Sequence, residues 1–479
     1  MSSSWATDAC EMSPLCHRVI QSMPEYMQPL HLTTKVERRL PPDAVAEVER
    51  IEREWPHKEQ CEKNPFVSGQ TCIQLMLELR TVLDKCTTWP PSLHVPCVMH
   101  GCPGGCEIRA LALERQQLEE RIQSGLNHVG SFSSSSKTDT GGSSTVPLFR
   151  SVFAGVSCID FCQSGDQLMW QGPSTVHHMT YAYERKYLNE DFGVTECSRK
   201  WDPTILQDAV EDTHDLDSGI ICPTDLGDPV RRERRYTRHW KRSRIVPIMD
   251  FETFFNTFKR TIAMPGTYFL AADDLMVDAA LKKKFNDIGI VQLAGQRELT
   301  WRDTLTYIQN DRLSCALELQ AQRGDENLAP SFIVDLNHNP DVYARYTTTP
   351  QVIVPSLLRH NVLWCHGRNQ DNKLVDRPLL AQEIISIQGL ATLPEHGDVF
   401  QCEWLDCMAS LEEHQIQSLA GNSMHFHIAV VNLLWFLSCC EFVEPLPQRM
   451  GSGDDVDDDV LDTLSEPSSK RFRFRASED

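Results

Sequence analysis

Apolar residues recur at helical spacing along several parts of the chain. Val45, Val48, Ile51 and Trp55 share one face of an amphipathic stretch and predict a helix over 43–55. Comparable apolar surfaces predict three further helices, over 71–83, over 174–188 and in the later part of 418–437. The last of these is strongly apolar and follows a Gly-Asn turn, a pattern typical of a buried terminal helix.

Two short strands are predicted on either side of the helix over 174–188. The apolar run 152–154 and the turn-forming Gly155 lead to Cys158, where a polar, glycine-terminated stretch begins. The segment 192–202 predicts a short strand that ends in Glu196, 38 residues after Cys158. That separation accommodates one helix and a return strand. Both residues are therefore expected at the same edge of a parallel sheet, in an α/β fold.

The length and composition exclude several classes of protein. A chain of 479 residues, 41% of them hydrophobic, is sufficient for about two to four domains. No apolar run reaches the roughly 18–20 residues of a membrane span, and residues 1–12 lack the regions of a signal peptide. The 18 cysteines show no small disulfide framework. We therefore expect an intracellular protein without membrane contact whose cysteines are mostly thiols, core-packing residues or metal ligands.

The charge is unevenly distributed. The chain carries a formal charge of −21, yet residues 231–244 hold eight Arg or Lys and one Glu, a local charge of +7. Such a segment on an acidic body indicates a localised phosphate contact, with a solvated loop or a salt-bridged helix as the alternatives. The cations expected to contact nucleic acid are Arg231, Arg235, Arg238, Lys241 and Arg242.

Four soft-metal ligands crowd one short stretch near residue 100. They are Cys97, His100, Cys102 and Cys106. Zinc binds such Cys/His sets tetrahedrally, but the spacing is not a standard paired form. A turn with incidental thiols ahead of a helix over 107–123 is the favoured interpretation, and zinc binding is the alternative.

The order of these motifs resembles that of the DNA cytosine-5 methyltransferases, including divergent protist members. Gly155-Val156-Ser157-Cys158 is similar to the family's Gly-x-Pro-Cys nucleophile loop, and TEC at 195–197 to its Glu-Asn-Val motif. Three later segments resemble family motifs in the same order: GDPVRRERR at 227–235, RPLLAQEIISIQG at 377–389 and AGNSM at 420–424. The resemblance implies a methyltransferase-like, Rossmann-type fold with a mostly parallel sheet.

The resemblance also implies a reaction and the residues that perform it. Cys158 would attack carbon 6 of a cytosine base, and Glu196 would protonate ring nitrogen 3. Arg232 and Arg234 would hold the base or its phosphates and favour the thiolate form of Cys158. The base must be flipped out of a duplex, so DNA is the implied partner, although RNA also presents such a cytosine.

S-adenosylmethionine is the cofactor that the resemblance implies, with Asn422 and Ser423 beside it. The family's glycine loop has no clear counterpart here, and 66–70 (FVSGQ) is the remaining candidate. A second interpretation therefore stays open: a catalytically inactive scaffold that binds DNA or a partner protein. An α/β protein whose cysteines are merely packed is the third.

The predicted organisation follows the motifs. The units are an N-terminal helical region that includes the Cys/His cluster and a degenerate cofactor-binding part (1–129), a Ser/Gly linker (130–146), a catalytic core (147–245), a mixed α+β target-recognition-like region (246–350), a return to the core with a terminal helix (351–445) and a disordered acidic tail (446–479). The tail closes with KRFRFR, a basic element that favours a nuclear location.

Overall fold

The computed structural model describes residues 8–10, 31–33, 40–86, 92–95, 106–109, 151–156, 159–162, 167–188, 190–290, 297–323, 331–339, 352–358, 361–369, 371–390 and 411–443. Within these ranges, no helix has the length and apolar character needed to cross a membrane.

Three helices open the longer described part of the chain. They are α1 (Pro42–Glu54), α2 (Lys58–Lys63) and α3 (Pro65–Lys85), and they confirm the helices predicted over 43–55 and 71–83. α3 begins early because the Asn64 side chain accepts a hydrogen bond from the Val67 amide and Pro65 occupies the first helical position. Residues 66–70 are therefore helical, and the prediction of a glycine turn there was wrong.

Four short strands form two separate pairs. β1 (Asp8–Cys10) is parallel to β2 (His31–Thr33), and β3 (Ser92–Val95) is antiparallel to β4 (Cys106–Arg109). The helix expected over 107–123 does not begin there, because the backbone at 106–109 pairs across to β3 instead of bonding within its own segment.

A four-stranded sheet, ordered β5-β6-β8-β7, contains both predicted strands. Its strands and connecting helices are β5 (Ser151–Gly155), α4 (Ser174–Leu188), β6 (Phe192–Ser198), α5 (Thr204–Val210), β7 (His214–Ile221) and β8 (Arg234–Lys241). β5 and β6 are parallel, whereas β8 is antiparallel to both β6 and β7. The α/β class and the parallel pair are confirmed. The sheet is mixed because β7 and β8 return on each other as antiparallel neighbours.

The central part of the basic segment forms the interior strand β8. This part is therefore neither a solvated loop nor a helix. β8 hydrogen-bonds to β6 on one side and to β7 on the other. Its buried positions include Tyr236 and Thr237, residue types that fit a pleated, packed surface. Two of the eight cations in the basic segment, Arg232 and Arg238, are buried within the fold, and Arg242 is exposed.

Helices cover the two faces of the sheet, because successive residues of a strand point to opposite sides. Val176, Met179 and Ala182 of α4 form one buried cluster with Leu79 and Leu83 of α3. On the other face, Phe192 of β6 stacks on Phe436 with ring centroids 4.0 Å apart. Phe436 lies in helix α11 (Phe426–Cys439). The neighbouring elements on this face are β9 (Ile245–Pro247), α6 (Phe251–Asn256) and β13 (Cys440–Phe442).

A second, antiparallel sheet of three strands follows in the order β10-β11-β12. Its elements and the helices near it in the chain are α7 (Asp274–Ile288), α8 (Tyr307–Arg323), β10 (Phe332–Asp335), β11 (Leu363–Arg368), β12 (Leu374–Pro378), α9 (Ala381–Ile387) and α10 (Glu413–Asn422). β10 lies within 246–350 and pairs with β11 from 351–445, so these two predicted units share one sheet.

Gly193 provides a test of the packing between β6 and its neighbouring strands β5 and β8. A Cβ at this position would lie 2.1 Å from Cε1 of His239 and 2.6 Å from Cγ1 of Val152. We expect Gly193→Ala to lower the free energy of unfolding by about 1–3 kcal/mol, the usual cost of overpacking. The urea midpoint of the full chain measures the change.

Gly69→Ala is the matched control. Gly69 is helical, and the nearest atom to its added Cβ is 3.8 Å away. Alanine should therefore stabilise α3 by up to about 1 kcal/mol. A Gly193→Ala protein at least as stable as the Gly69→Ala protein would contradict the described contact between β6 and β8.

Candidate active site

Glu196 is the carboxyl group around which the candidate site is built. It lies in β6 opposite Gly155 of β5 and Tyr236 of β8, and it is buried. A Cβ on Gly155 would lie 3.6 Å from Oε2 of Glu196. One oxygen of the carboxylate therefore faces the end of the strand that leads to Cys158. Cys158 itself lies outside the described residues.

The chain on either side of Cys158 is tied to the fold. Before it, the amide of Val156 donates to the carbonyl of Glu196 at 3.1 Å. After it, the buried Asp160 accepts hydrogen bonds from the amides of Met169 and Ser174, each at 2.9 Å. Ser174 is the first residue of α4, where the helix dipole favours a carboxylate.

Asp160 and Gly172 were not singled out from the sequence. A Cβ on Gly172 would lie only 2.0–2.3 Å from three atoms of the Asp160 carboxylate, so the close approach requires glycine. The available signal was a Gly-Pro-Ser helix start at 172–174 with an acidic residue shortly before it. Both residues act on the conformation of the segment that follows Cys158, and they are therefore positioning residues.

Arg234 is the ion-pair partner of Glu196. Its Nε lies 3.1 Å from Oε1 of Glu196, and one terminal nitrogen donates to the carbonyl of Glu233. Since a buried carboxylate without a counter-charge is costly, this guanidinium compensates most of the penalty. The pair occupies Oε1, which leaves Oε2 on the side of Gly155.

Arg232 is buried and connects distant parts of the chain. Its guanidinium donates to the carbonyls of Leu357, Gly421 and Ser423 at 2.8, 3.1 and 3.0 Å. Its distance to Oε1 of Glu196 is 4.0 Å. The structure thus brings Glu196, Arg232 and Arg234 together, and Arg232 acts as a clamp between the segment before β8 and the end of α10.

The two predicted cofactor-binding residues lie beside that clamp. Asn422 is the last residue of α10 and is exposed, while the hydroxyl of Ser423 donates to the carbonyl of Ala420 at 3.0 Å. The candidate glycine loop at 66–70 is part of α3. Residues 66–70 are therefore not a glycine loop, and cofactor binding by Asn422 and Ser423 stays a prediction.

Arg238 does not belong to a nucleic-acid-binding surface. It is 1% exposed, pairs with Asp217 at 2.7 Å, donates to Asn432 and lies 3.6 Å from the centre of the Phe251 ring. The prediction for Arg238 is corrected on this basis. In an interior strand, the side chains of one face point into the core, whatever their charge.

The other predicted cations are divided between several positions. Arg231 lies 3.4 Å from Glu233, and Arg242 pairs with Asp215 at 3.0 Å. Burial lowers the pKa of Arg235, which donates to the hydroxyl of Ser218. Lys241 ends β8 and is half-buried. Arg231 and Arg242 flank opposite ends of β8, so they do not form one continuous patch; for all four, nucleic-acid contact stays a prediction.

The remaining predicted ligands have little described structure. Cys97, His100 and Cys102 lie outside the described residues, and Cys106 is described only as the first backbone position of β4. Cys197, next to Glu196, is buried, and burial raises the pKa of its thiol. Cys197 is therefore a packing residue and a poor candidate for a thiolate.

No protein-family profile matches the chain, and no curated protein matches it. The chain is similar to the solved structure of the S. pombe Dnmt2 methyltransferase, with 11% sequence identity and a TM-score of 0.33, over 60% of this chain and 78% of that one. It is similar to the Entamoeba histolytica methyltransferase EhMeth with 12% identity and a TM-score of 0.29, over 60% of this chain and 77% of that one. It is also similar to a Spodoptera frugiperda DNMT2 mutant with 12% identity and a TM-score of 0.28, over 60% of this chain and 79% of that one. Because TM-scores this low carry no argument, the roles of the site residues are assigned from this chain's own contacts.

The contacts of Arg232 and Arg234 predict unequal roles in stability. Arg232→Met would leave three carbonyls without their donor, and we expect a loss of about 3 kcal/mol or more in the free energy of unfolding. Arg234→Met removes a partly exposed partner of Glu196 and should cost less. Urea unfolding of both variants makes the comparison. An equal or smaller loss for Arg232→Met would contradict the clamp.

Proposed function

We propose that this chain transfers a methyl group from S-adenosylmethionine to carbon 5 of cytosine in DNA through a covalent adduct at Cys158. One observation carries the proposal. Glu196 is buried beside the end of β5, is ion-paired with Arg234, and directs its second oxygen toward the strand that leads to Cys158. A nucleophile and a carboxyl group on one side of a base are what activation of cytosine requires.

Chain geometry supports a shared site. Cys158 lies three positions after Gly155, a span of at most about 11 Å. Gly155 is directly opposite Glu196 in the parallel pair β5-β6. A base bound at the end of these strands is therefore within reach of both side chains.

The activation step uses only side chains of this protein. The thiolate of Cys158 forms a bond to carbon 6, and the electrons of the 5,6 double bond move toward ring nitrogen 3, which takes a proton through Glu196. Carbon 5 thereby becomes an enamine carbon that accepts an electrophile. Nε of Arg234 lies 3.1 Å from Oε1 of Glu196, and Oε2 lies on the side of Gly155. S-adenosylmethionine is the methyl source of the proposal, and no described residue is assigned to it.

A second candidate function follows from the fact that no described residue is assigned to the methyl donor. The helical conformation of 66–70 and the exposed Asn422 favour a scaffold that binds DNA or a partner protein without methyl transfer. A scaffold that binds DNA would use the same site as the enzyme. DNA as the partner, together with the basic end of the tail, favours a nuclear location for either.

Covalent trapping tests the enzyme directly. On a duplex that contains 5-fluorocytosine, with S-adenosylmethionine present, the full chain should form an adduct that survives denaturing electrophoresis, and Cys158→Ser should form none. Glu196→Gln should slow the adduct by roughly 10²–10⁴-fold, as expected when a positioned acid is lost. Cys162→Ser removes a neighbouring thiol outside the proposed chemistry and is the matched control.

Calorimetric titration with S-adenosylmethionine separates the two candidates. Binding at micromolar concentration together with trapping supports the methyltransferase. DNA binding without trapping and without S-adenosylmethionine binding supports the scaffold instead. An adduct that persists in Cys158→Ser would overturn the assignment of the nucleophile.

The salt dependence of DNA binding tests the predicted phosphate contacts. Removing one cation that touches phosphate should reduce the slope of log K against log salt by roughly 0.9. We expect this of Lys241→Gln and Arg242→Gln. Arg297→Gln, an exposed cation far from β8 in the sequence, serves as control and should leave the slope unchanged. If all three variants keep the original slope, the phosphate contacts lie elsewhere.

A further inference from the structure

Three potential metal ligands meet where the segment before β8 contacts the start of α11. Nδ1 of His427 lies 2.9 Å from Oδ2 of Asp228, and Nε2 of His425 lies 3.9 Å from the same oxygen. One ligand atom from each of the three side chains lies within 4.8 Å of the others. Asp228 and the two histidines are nearly two hundred residues apart in sequence, so only the fold brings them together.

His425 is the second, independent feature of this cluster. It is 1% exposed, and among the described residues neither of its ring nitrogens makes a hydrogen bond of normal geometry. Leaving such a group unsatisfied is unfavourable, and a bound ligand would remove that cost.

The geometry points to a divalent-cation site, which we propose is formed by Asp228, His425 and His427 and takes Zn²⁺. Two imidazoles and a carboxylate suit zinc, whereas magnesium and calcium prefer oxygen ligands alone. Zinc bonds of about 2.0–2.1 Å place tetrahedral ligands about 3.3 Å apart. The distances of 2.9 and 3.9 Å bracket that value, and the widest separation closes with a side-chain movement of about 1.5 Å.

Access and charge set the character of the site. His427 is half-exposed, so a cation and a water ligand can enter from solvent. A cation at this position would replace the hydrogen bond between Nδ1 of His427 and Oδ2 of Asp228. The guanidinium of Arg232 is nearby and repels a cation, while Asp228 supplies one negative charge. We therefore expect moderate affinity and a preference for a metal that binds imidazole.

A cation here would brace the candidate active site. Asp228 lies four residues before Arg232. The guanidinium of Arg232 donates to the carbonyls of Gly421 and Ser423, just before His425. On the other side, the amide of Phe426 donates to the carbonyl of Gln388. The metal would join the segment before β8 to the start of α11. This role is independent of the proposed reaction.

Zinc titration of the full chain without a histidine tag tests the site. Cys97→Ser and Cys102→Ser are introduced first, so that the predicted cysteine cluster does not compete. This background should bind Zn²⁺ in a chelator competition and show a higher thermal midpoint with zinc. Asp228→Asn and His427→Gln should each weaken binding by roughly tenfold or more. His414→Gln, an exposed histidine in α10, is the matched control and should bind normally.

His427→Gln keeps the test decisive, because His427 is half-exposed and its loss should leave the fold intact. Thermal midpoints without zinc establish that each variant is folded. In the Co²⁺-substituted background, the spectrum should lack the thiolate charge-transfer band. Three results would each overturn the proposal. They are equal zinc binding in the background and in His427→Gln, a thiolate band in the cobalt spectrum, and no zinc binding in the background.

Discussion

The compensation of one buried carboxylate organises the region between the sheet and α11. Glu196 lies on the face of β6 that packs against α11, where an unpaired charge would be prohibitive. Arg234 supplies the counter-charge from the neighbouring strand, and Arg232 extends the guanidinium layer to the carbonyls before α11. The pairing of β6 with β8 and the docking of the terminal helix therefore depend on the same electrostatic requirement.

The same requirement explains why local charge was a poor guide to the surface. Eight cations within fourteen residues suggested a solvent-facing element, yet Arg232 and Arg238 are internal and Arg234 is mostly so. Each is matched by a carboxylate or by backbone carbonyls. Composition records the number of charges, whereas their burial depends on which partners the topology supplies.

Much of the local structure could be predicted from the sequence. The helix at 174–188 and the parallel pair that contains Gly155 and Glu196 follow from apolar periodicity and from spacing. The interior position of β8 did not, although Tyr236, Thr237 and Trp240 favour a strand. Contacts across long separations, such as Asp228 with His427, depend on tertiary packing that no local pattern encodes.

The two candidate functions differ in one physical respect. Activating a cytosine requires a thiolate, a carboxyl group and a fixed orientation, and the contacts of Glu196 and Arg234 supply the last two. Methyl transfer requires in addition a donor held in line with carbon 5, because proximity supplies much of the rate. A chain that keeps the first arrangement without the second would still gain binding energy from a flipped base. Retention of the Glu196–Arg234 pair is therefore compatible with recognition alone, and the measured affinity for the donor decides between the enzyme and the scaffold.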